Sequence, residues 1–340
     1  MYCGIIIDGH LDIAWNKQSL NRDFRVSSQE KFLLETEAIW NAEGIPTVGF
    51  PELLRANVRI VCGTIWVESE NSSHPSSGKK YSTAKQAKEM AKEQYDYYCS
   101  LEKDTDTRVI RYQADIVYCL SNPSVGIALL IEGAEFIENE EDLQDWYNKG
   151  VRILAPVWER NVFGGCSNLG GGLTNEGKNL LVKMDHLNMV LDIAHMSEQC
   201  ADDSLSIYSG VIINSHSACQ SLCPGERQTT DTQIIRIHES GGLIALMLWD
   251  KILNPNGGGS SMDDILDHIK HIFWLTGCFD NIAIGSSMDG GFGSESLPAG
   301  MHDIGDLPLI ANHLVANGIP FSDVEKIMFR NWERVIASAY

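Results

Sequence analysis

Five residues with metal-binding side chains lie at the ends of short apolar segments of the sequence: His10, Asp12, Glu132, His195 and His216. Three imidazoles and two carboxylates form a nitrogen and oxygen ligand set that suits Zn²⁺ or a related divalent ion. His10 and Asp12 are two residues apart, so on an extended strand their side chains point the same way. Because a mononuclear catalytic zinc usually has about three protein ligands, this larger set predicts two ions, about 3.5–4 Å apart, with Glu132 bridging them.

Structural roles are the alternative for each of these residues taken alone. A single His-x-Asp pair is also common at helix caps and in cores, and a histidine at a strand end is often only hydrogen-bonded. The other histidines lie in predicted loops or helices, and we expect surface or structural roles for them: His74, His186, His238, His268, His271, His302 and His313. The joint placement of all the candidate ligands at segment ends favours a metal site.

The elements that must position these residues are eight apolar segments rich in Val, Ile and Leu: residues 4–7, 58–66, 126–131, 151–157, 189–194, 210–214, 243–249 and 281–285. Spans with helical periodicity lie between several of them, at 82–102, 175–187 and 260–275. Strands that alternate with helices form parallel sheets, so the pattern predicts an α/β protein with a (β/α)8 TIM-like barrel. A doubly wound open sheet is the alternative, but the first βα turn lacks a GxGxxG sequence.

The predicted barrel is a single domain over residues 1–340, with insertions around 16–57 and 68–122, since about 250 residues are typical of the fold. Catalytic residues of such barrels lie at the C-terminal ends of several strands. The eighth segment is followed by Asp289, which joins the predicted site. The glycine-rich stretch 164–172 has no Lys-Ser/Thr after it, so we expect a mobile loop near the mouth of the site rather than a phosphate-binding loop.

The composition limits the partners and the compartment. The formal charge of −20 excludes a general attraction to nucleic acid and disfavours an anionic membrane surface. No apolar run reaches the roughly 18 residues of a membrane span, and the N-terminus lacks the pattern of a secretory signal. The 9 cysteines include no CxxC pair, so we expect reduced thiols in a cytoplasmic protein.

Taken in order and spacing, the motifs resemble the membrane (renal) dipeptidase family of metallopeptidases. The motifs are Asp-Gly-His-x-Asp near the start, Glu-Gly after the third segment, Asp-x-x-His-Met-Ser, Ser-His-Ser, and Met-Asp-Gly near the end. The stretch 172–177, Gly-Leu-Thr-Asn-Glu-Gly, is similar as well. The resemblance covers nearly the whole chain. It implies a dipeptidase that binds two zinc ions and forms a homodimer.

The resemblance also implies a role for each matching position. His10 and Asp12 correspond to the ligands of the first metal, and His195 and His216 correspond to those of the second. Glu132 corresponds to the catalytic carboxylate that bridges the two ions.

Two further positions correspond to residues that contact the substrate. Arg227, eleven residues after His216, matches the arginine that binds the C-terminal carboxylate of the substrate, and a guanidinium suits that bidentate contact. A surface salt bridge is the structural alternative for Arg227. Asp289 matches the aspartate that accepts a proton from the attacking water and holds the substrate amine.

The chain departs from the renal type at two positions. Trp158 stands where the renal-type enzymes have a histidine that polarises the scissile carbonyl, and an indole N–H donates one hydrogen bond without carrying charge. Ser287 replaces the first acid of an Asp-Phe-Asp-Gly sequence. We expect Trp158 to contact the substrate. The secretory signal and lipid-anchor tail of the family are also expected to be missing.

The resemblance implies that a hydroxide bridging two zinc ions attacks the peptide carbonyl of a dipeptide. A second hypothesis keeps the metals but changes the substrate to an N-acyl amino acid, a lactam or a lactone, because a fold does not fix a function. A third is a degenerate, non-catalytic binding protein, which the complete ligand set argues against.

Overall fold

The computed structural model describes residues 2–73 and 76–340. Its strands are β1 (Ile6–Leu11), β2 (Val58–Trp66), β3 (Glu68–Ser69), β4 (Lys80–Tyr81), β5 (Thr107–Val109), β6 (Val125–Glu132), β7 (Ile153–Ala155), β8 (Gly164–Cys166), β9 (Gly170–Leu173), β10 (Val190–Asp192), β11 (Ile212–Ser217), β12 (Ile244–Leu246) and β13 (Ile282–Ile284).

Eight of these strands form a parallel sheet in the order β1-β2-β6-β7-β10-β11-β12-β13, and β5 pairs with the start of β6. The two ends of the sheet meet. The backbone N–H of Ser287, after β13, donates to the carbonyl of His10 in β1 at 3.1 Å. The N–H of Ser286 donates to Asp8 Oδ1 at 2.9 Å beside it. The barrel confirms the predicted fold class and excludes the doubly wound sheet, and all the predicted segments coincide with its strands.

Helices follow most of the strands and cover the outside of the barrel. They are α1 (Ile13–Leu20), α2 (Ser28–Leu34), α3 (Glu37–Glu43), α4 (Phe50–Arg55), α5 (Ala84–Asp104), α6 (Gln113–Ser121), α7 (Glu140–Asn148), α8 (Asn175–His186), α9 (Glu198–Ile207), α10 (Asp231–Glu239), α11 (Asp250–Leu253), α12 (Met262–Thr276), α13 (Leu307–Ala316), α14 (Phe321–Glu325) and α15 (Asn331–Ala339). Two short 3₁₀ helices (Ser294–Ser296, Ile304–Asp306) and a π-helix (Lys326–Arg330) complete the chain.

The long barrel strands are buried on both faces, as their unbroken apolar runs predict. All residues of β6 are buried, for example. One core fills the space between strands and outer helices, and a second lies inside the barrel and extends to α15. Trp332 of α15 lies so close to β1 that a Cβ on Gly9 would meet the indole at 2.0 Å. Only glycine therefore fits at position 9, between Asp8 and His10.

Sequence signals set several helix ends. Ser261 and Asp264 form a capping box at the start of α12, and Gly277 ends it in the left-handed conformation. The helices α5, α8 and α12 agree with the predicted helical spans. The first predicted insertion contains the end of α1 and all of α2 to α4. The second contains α5 and α6 together with the short strands β3, β4 and β5.

Two local predictions were wrong. Asp12 lies beyond the end of β1, at φ −84 and ψ 43, rather than on an extended strand. Residues 164–172, for which we expected a mobile loop, form an antiparallel hairpin of β8 and β9. The N–H of Ser197 donates to the carbonyl of Gly165 at 3.0 Å, so the hairpin is tied to the segment before α9.

Of the helices within residues 2–73 and 76–340, none combines the length and the hydropathy that a bilayer crossing requires. His268 has the structural role expected of it, since its Nδ1 accepts from the N–H of Cys219 at 3.1 Å and its Nε2 pairs with the carbonyl of Leu253. The surface or structural role predicted for His74 lies outside the described residues.

Candidate active site

Glu132, the last residue of β6, lies at the centre of the predicted metal ligands. Its Oε1 faces three imidazole Nε2 atoms, at 3.5 Å for His10, 3.0 Å for His195 and 3.4 Å for His216. Asp12 Oδ2 lies 3.9 Å from the Nε2 of His10, and the Nε2 atoms of His195 and His216 are 3.0 Å apart. The structure thus brings together all the ligands predicted from the sequence.

The protonation of the imidazoles follows from their surroundings. Burial, reinforced by the Arg227 guanidinium, lowers the pKa of His195 to about 4. Burial and the neighbouring His10 hold the pKa of His216 well below its usual value. These two imidazoles are neutral near pH 7, so their nitrogens offer lone pairs to a metal.

His10 and Glu132 form the charged pair of the metal-free cluster. Burial opposes charge on the His10 imidazole, but the Glu132 carboxylate outweighs it and raises the pKa of His10 to about 9. Burial likewise opposes ionisation of Glu132, yet His10 and His195 hold the pKa of this carboxyl well below its usual range. A metal ion at His10 would displace a proton, as is general for ligands that must be deprotonated.

Hydroxyl groups around the cluster fix the ligand orientations. Thr64 Oγ1 donates to Asp12 Oδ1 at 2.5 Å. Ser215 Oγ lies 3.3 Å from Nδ1 of His10 and 2.8 Å from Nδ1 of His216. Contacts of this kind set the tautomer of a ligating imidazole, here leaving Nε2 to face Glu132.

Part of the arrangement fits a bound divalent metal ion. Ligand atoms of His10, Glu132 and His216 all lie within 4.8 Å of one another. Glu132 Oε1 is buried and accepts no well-aligned hydrogen bond from the described residues. A buried carboxylate oxygen that faces three imidazole nitrogens without a well-aligned hydrogen bond is a cation site in chemical terms. We therefore regard these residues as suited to hold a divalent ion.

A cleft of about 690 Å³ opens over the cluster. Its walls include four indoles: Trp15, Trp66, Trp158 and Trp249. The ring of Trp158 lies three residues past β7, with its centroid 4.7 Å from that of Trp66 and 5.7 Å from that of His195. Residues 166–168 of the β8–β9 hairpin line the same cleft, so the glycine-rich stretch does lie at the mouth of the site.

Arg227 lines this cleft from the segment after β11. Its Nη2 is 3.2 Å from His195 Nε2, and its buried Nη1 has no hydrogen-bond partner among residues 2–73 and 76–340. Burial lowers the pKa of Arg227 to about 10, so the guanidinium is still charged near neutral pH. The surface salt bridge considered from the sequence is not formed with any described carboxylate.

Asp289 lies beside the cluster, and the segment before α4 holds its carboxylate. Its Oδ1 accepts from the N–H and the hydroxyl of Thr47, both at 2.7 Å, and its Oδ2 accepts from the N–H of Val48 at 3.2 Å. Asp289 adjoins Asp12 and Lys31 around a small internal cavity. The sequence therefore placed Asp289 at the correct rim but did not predict what its side chain contacts.

Three site residues have backbone conformations that are unusual for residues other than glycine: His195 at φ 66, Ser287 at φ 55 and Asp289 at φ 62. The remaining described residues of this kind are asparagines, which tolerate this region better. Such strain persists only where the surrounding structure enforces it, and it concentrates at functional sites.

Sequence reasoning missed the residues that orient the predicted ones: Asn16, Thr47, Thr64 and Ser215. Thr64 lies near the end of β2, and Ser215 directly precedes His216. Their positions at the rim of the barrel were therefore a usable signal. Thr47 lies in an insertion without a recognisable motif, and no sequence signal pointed to it.

Comparisons with known proteins agree with this geometry. A family model described as membrane dipeptidase (peptidase family M19) matches residues 2–340. A Klebsiella pneumoniae protein named for its place in the pqqA 5′ region is 31% identical over 239 residues, which are 67% of this chain and 87% of that protein. Dipeptidase tcpJ of Claviceps purpurea is 28% identical over 165 residues, covering 48% of this chain but only 38% of its own length.

Solved structures share the whole fold. One described as dipeptidase AC, a metallopeptidase, superposes with a TM-score of 0.84 at 23% identity, over 100% of this chain and 99% of the other. A metallopeptidase from Rhodobacter sphaeroides, bound to a phosphinate mimic of the dipeptide L-Ala-D-Ala, gives 0.83 at 23% identity over 99% of both chains. Since the family model extends over nearly the entire chain, the protein belongs to the membrane dipeptidase family and is an enzyme of the metallodipeptidase class.

Proposed function

We propose that the protein hydrolyses the peptide bond of dipeptides with two zinc ions. His10 and Asp12 would hold one ion, His195 and His216 the other, and Glu132 would bridge them. The observation that carries the choice of substrate is Arg227, a cation that lies beside the cluster and has no carboxylate partner among the described residues.

An enclosed guanidinium without an anion is costly, because it loses hydration and gains no ion pair. A substrate carboxylate would compensate for the lost hydration by accepting two parallel hydrogen bonds from the guanidinium. The Nη2 atom of Arg227 is 3.2 Å from a metal-ligand nitrogen. A substrate carboxylate bound to Arg227 would therefore lie close to the ions. This short separation favours a substrate whose C-terminal carboxylate is next to the scissile bond.

Bound ions would supply a water of lowered pKa and a Lewis acid for the carbonyl. The residues of the chain orient the substrate, cover the site and move the proton. Arg227 orients the substrate through its carboxylate, and Trp158 covers the reacting region and can donate one N–H hydrogen bond. Asp289 holds the substrate amine, accepts a proton from the attacking water and passes it to the leaving amine.

A screen of the zinc-loaded protein tests this function. The library contains free dipeptides, L-D pairs, N-acetylated dipeptides and simple lactams and lactones. We expect turnover of free dipeptides and little or none of the blocked ones. Turnover of N-blocked substrates alone would support the second hypothesis, and no bound metal after zinc supplementation would support a binding protein.

The metal content gives a separate prediction. We expect about two divalent ions per chain at saturating zinc, because the ligands that converge on Glu132 are too many for one catalytic zinc. Elemental analysis of the dialysed protein measures the ratio. A ratio of one would contradict the bridged site.

Trp158 offers a prediction about substrate binding. Trp158→Ala should raise KM for dipeptides by a few-fold to about tenfold, because aromatic contacts contribute on the order of 1 kcal/mol beyond their buried area. The metal content should not change, since the indole contacts His195 only through its ring. Trp274→Ala, at a side chain that is 75% exposed on α12, is the matched control. Equal kinetics in both variants would remove Trp158 from the substrate site.

The homodimer and the cytoplasmic location are further proposals, which rest on the family resemblance and on the cysteine pattern. Light scattering of the purified protein and fractionation of the source cells test them.

A further inference from the structure

The carboxylate of Asp289 is held by a segment far from it in sequence. Two hydrogen bonds from Thr47 and one from the N–H of Val48 reach its two oxygens. Both Thr47 and Asp289 are buried, at 0% and 4% exposure. All these donors come from the insertion between β1 and β2, so a part of the chain outside the barrel determines where this carboxylate lies.

The main chain of Asp289 is held as firmly. The side-chain amide of Asn16 donates to the carbonyl of Asp289 at 2.8 Å and to that of Asp12 at 3.0 Å. Asn16 is in turn contacted by Arg22, whose guanidinium pairs with Glu35 at 2.7 Å. A metal-ligand segment and the loop after β13 are therefore joined through one amide group.

The segment that contains Thr47 is itself anchored on both sides. The carbonyl of Thr47 accepts from the N–H of Ile304 at 3.0 Å. The carbonyl of Val48 accepts from the buried ammonium of Lys31. Because these donors are themselves anchored, they hold the Asp289 carboxylate in one orientation before a substrate binds. Such preorganisation is what a carboxylate that acts on a substrate requires.

We propose that Thr47 is a positioning residue for Asp289. This rests on the proposed function, in which Asp289 contacts the substrate amine. The hydroxyl of Thr47 is the one side-chain donor among the three contacts, so it can be removed while the backbone donors remain. Its loss leaves Oδ1 with the backbone N–H of Thr47 alone, so the carboxylate is held less firmly. The strained φ of 62 at Asp289 then lacks part of what enforces it.

The test replaces the hydroxyl with a methyl group of similar volume. Thr47→Val should lower kcat/KM for free dipeptides by about tenfold or more, because a hydrogen bond to a charged group contributes at least that factor. Thr47→Ser should restore most of the activity. Thr107→Val, at a buried threonine on β5 outside the barrel path, is the matched control for loss of a buried hydroxyl. Metal content should be the same in all the variants.

A double-mutant cycle with Asp289→Ala separates positioning from a general loss of stability. Thr47→Val should cost little further activity in the Asp289→Ala background, because the residue that it positions is gone. Additive losses, or a Thr47→Ser variant as impaired as Thr47→Val, would show that Thr47 acts through packing and would overturn the proposal.

Crystal structures of the native protein and of Thr47→Val provide a readout that does not depend on activity. We expect the Asp289 carboxylate to change its orientation in the variant, and an unchanged carboxylate would overturn the proposal. If the native protein hydrolyses no dipeptide, the proposed function fails, while this comparison still decides whether Thr47 positions Asp289.

Discussion

Glu132→Gln should remove most of the bound metal and, with it, nearly all hydrolysis. The carboxylate oxygen of Glu132 lies between 3.0 and 3.5 Å from the Nε2 atoms of three histidines, so it faces all three candidate imidazole ligands. A carboxamide cannot supply the negative charge that offsets two cations. Loss of contacts around a metal ligand already costs about 10- to 100-fold in affinity or activity, and we expect a larger loss for the ligand itself.

Elemental analysis and zinc titration by calorimetry measure the effect. Glu135→Gln is the matched control, since Glu135 is three residues further along and its Oε1 accepts from Asn161 at 3.0 Å. Burial raises the pKa of Glu135 to about 7, so this substitution changes less charge. His216→Ala should resemble Glu132→Gln. Full zinc occupancy in Glu132→Gln would show that the site has been misassigned.

The convergence of the candidate ligands could be predicted because two regularities coincide. Parallel strands direct their C-terminal ends to one rim, and metal ligands are restricted to a few residue types. Glu132 at the end of β6 and His216 near the end of β11 follow directly from these facts. Small errors in strand ends did not matter, because every strand still ends at the same rim.

Contacts formed by irregular segments could not be predicted in the same way. The Thr47 contact with Asp289 spans 242 residues of sequence, and no periodicity relates the two positions. Asp12 leaves the strand geometry because α1 begins directly after it. The hairpin at 164–172 is rich in glycine, and glycine sequences specify strand pairing weakly. In each case tertiary contacts, rather than local preference, determine the conformation.

The role that we propose for Arg227 rests on both the sequence and the structure. Its spacing from His216 suggested a carboxylate contact only through the family resemblance. The structure then shows a guanidinium with one buried nitrogen lacking a described partner, in contact with His195. A structural arginine would be expected to pair with a carboxylate, as Arg22 does with Glu35. The contrast between the two arginines favours a ligand-binding role for Arg227.

Arg227→Ala should therefore reduce kcat/KM on dipeptides strongly while zinc content stays near the native value. One charge-assisted hydrogen bond contributes about 1.5–3 kcal/mol, which corresponds to a loss of roughly 10- to 150-fold, and a bidentate contact would cost more. Arg227→Lys should recover part of the loss, because lysine keeps the charge but not the planar pair of donors. Steady-state kinetics with parallel metal analysis measure both variants.

Substrates without a C-terminal charge separate a carboxylate contact from a structural one. Dipeptides with an amidated C-terminus should already be poor substrates of the native enzyme, because an amide cannot accept two charge-assisted hydrogen bonds from the guanidinium. They should then lose little more in Arg227→Ala, whereas free-acid dipeptides should lose most of their kcat/KM. If the substitution impairs both kinds of substrate equally, Arg227 supports His195 through the contact at 3.2 Å, and another group must bind the carboxylate.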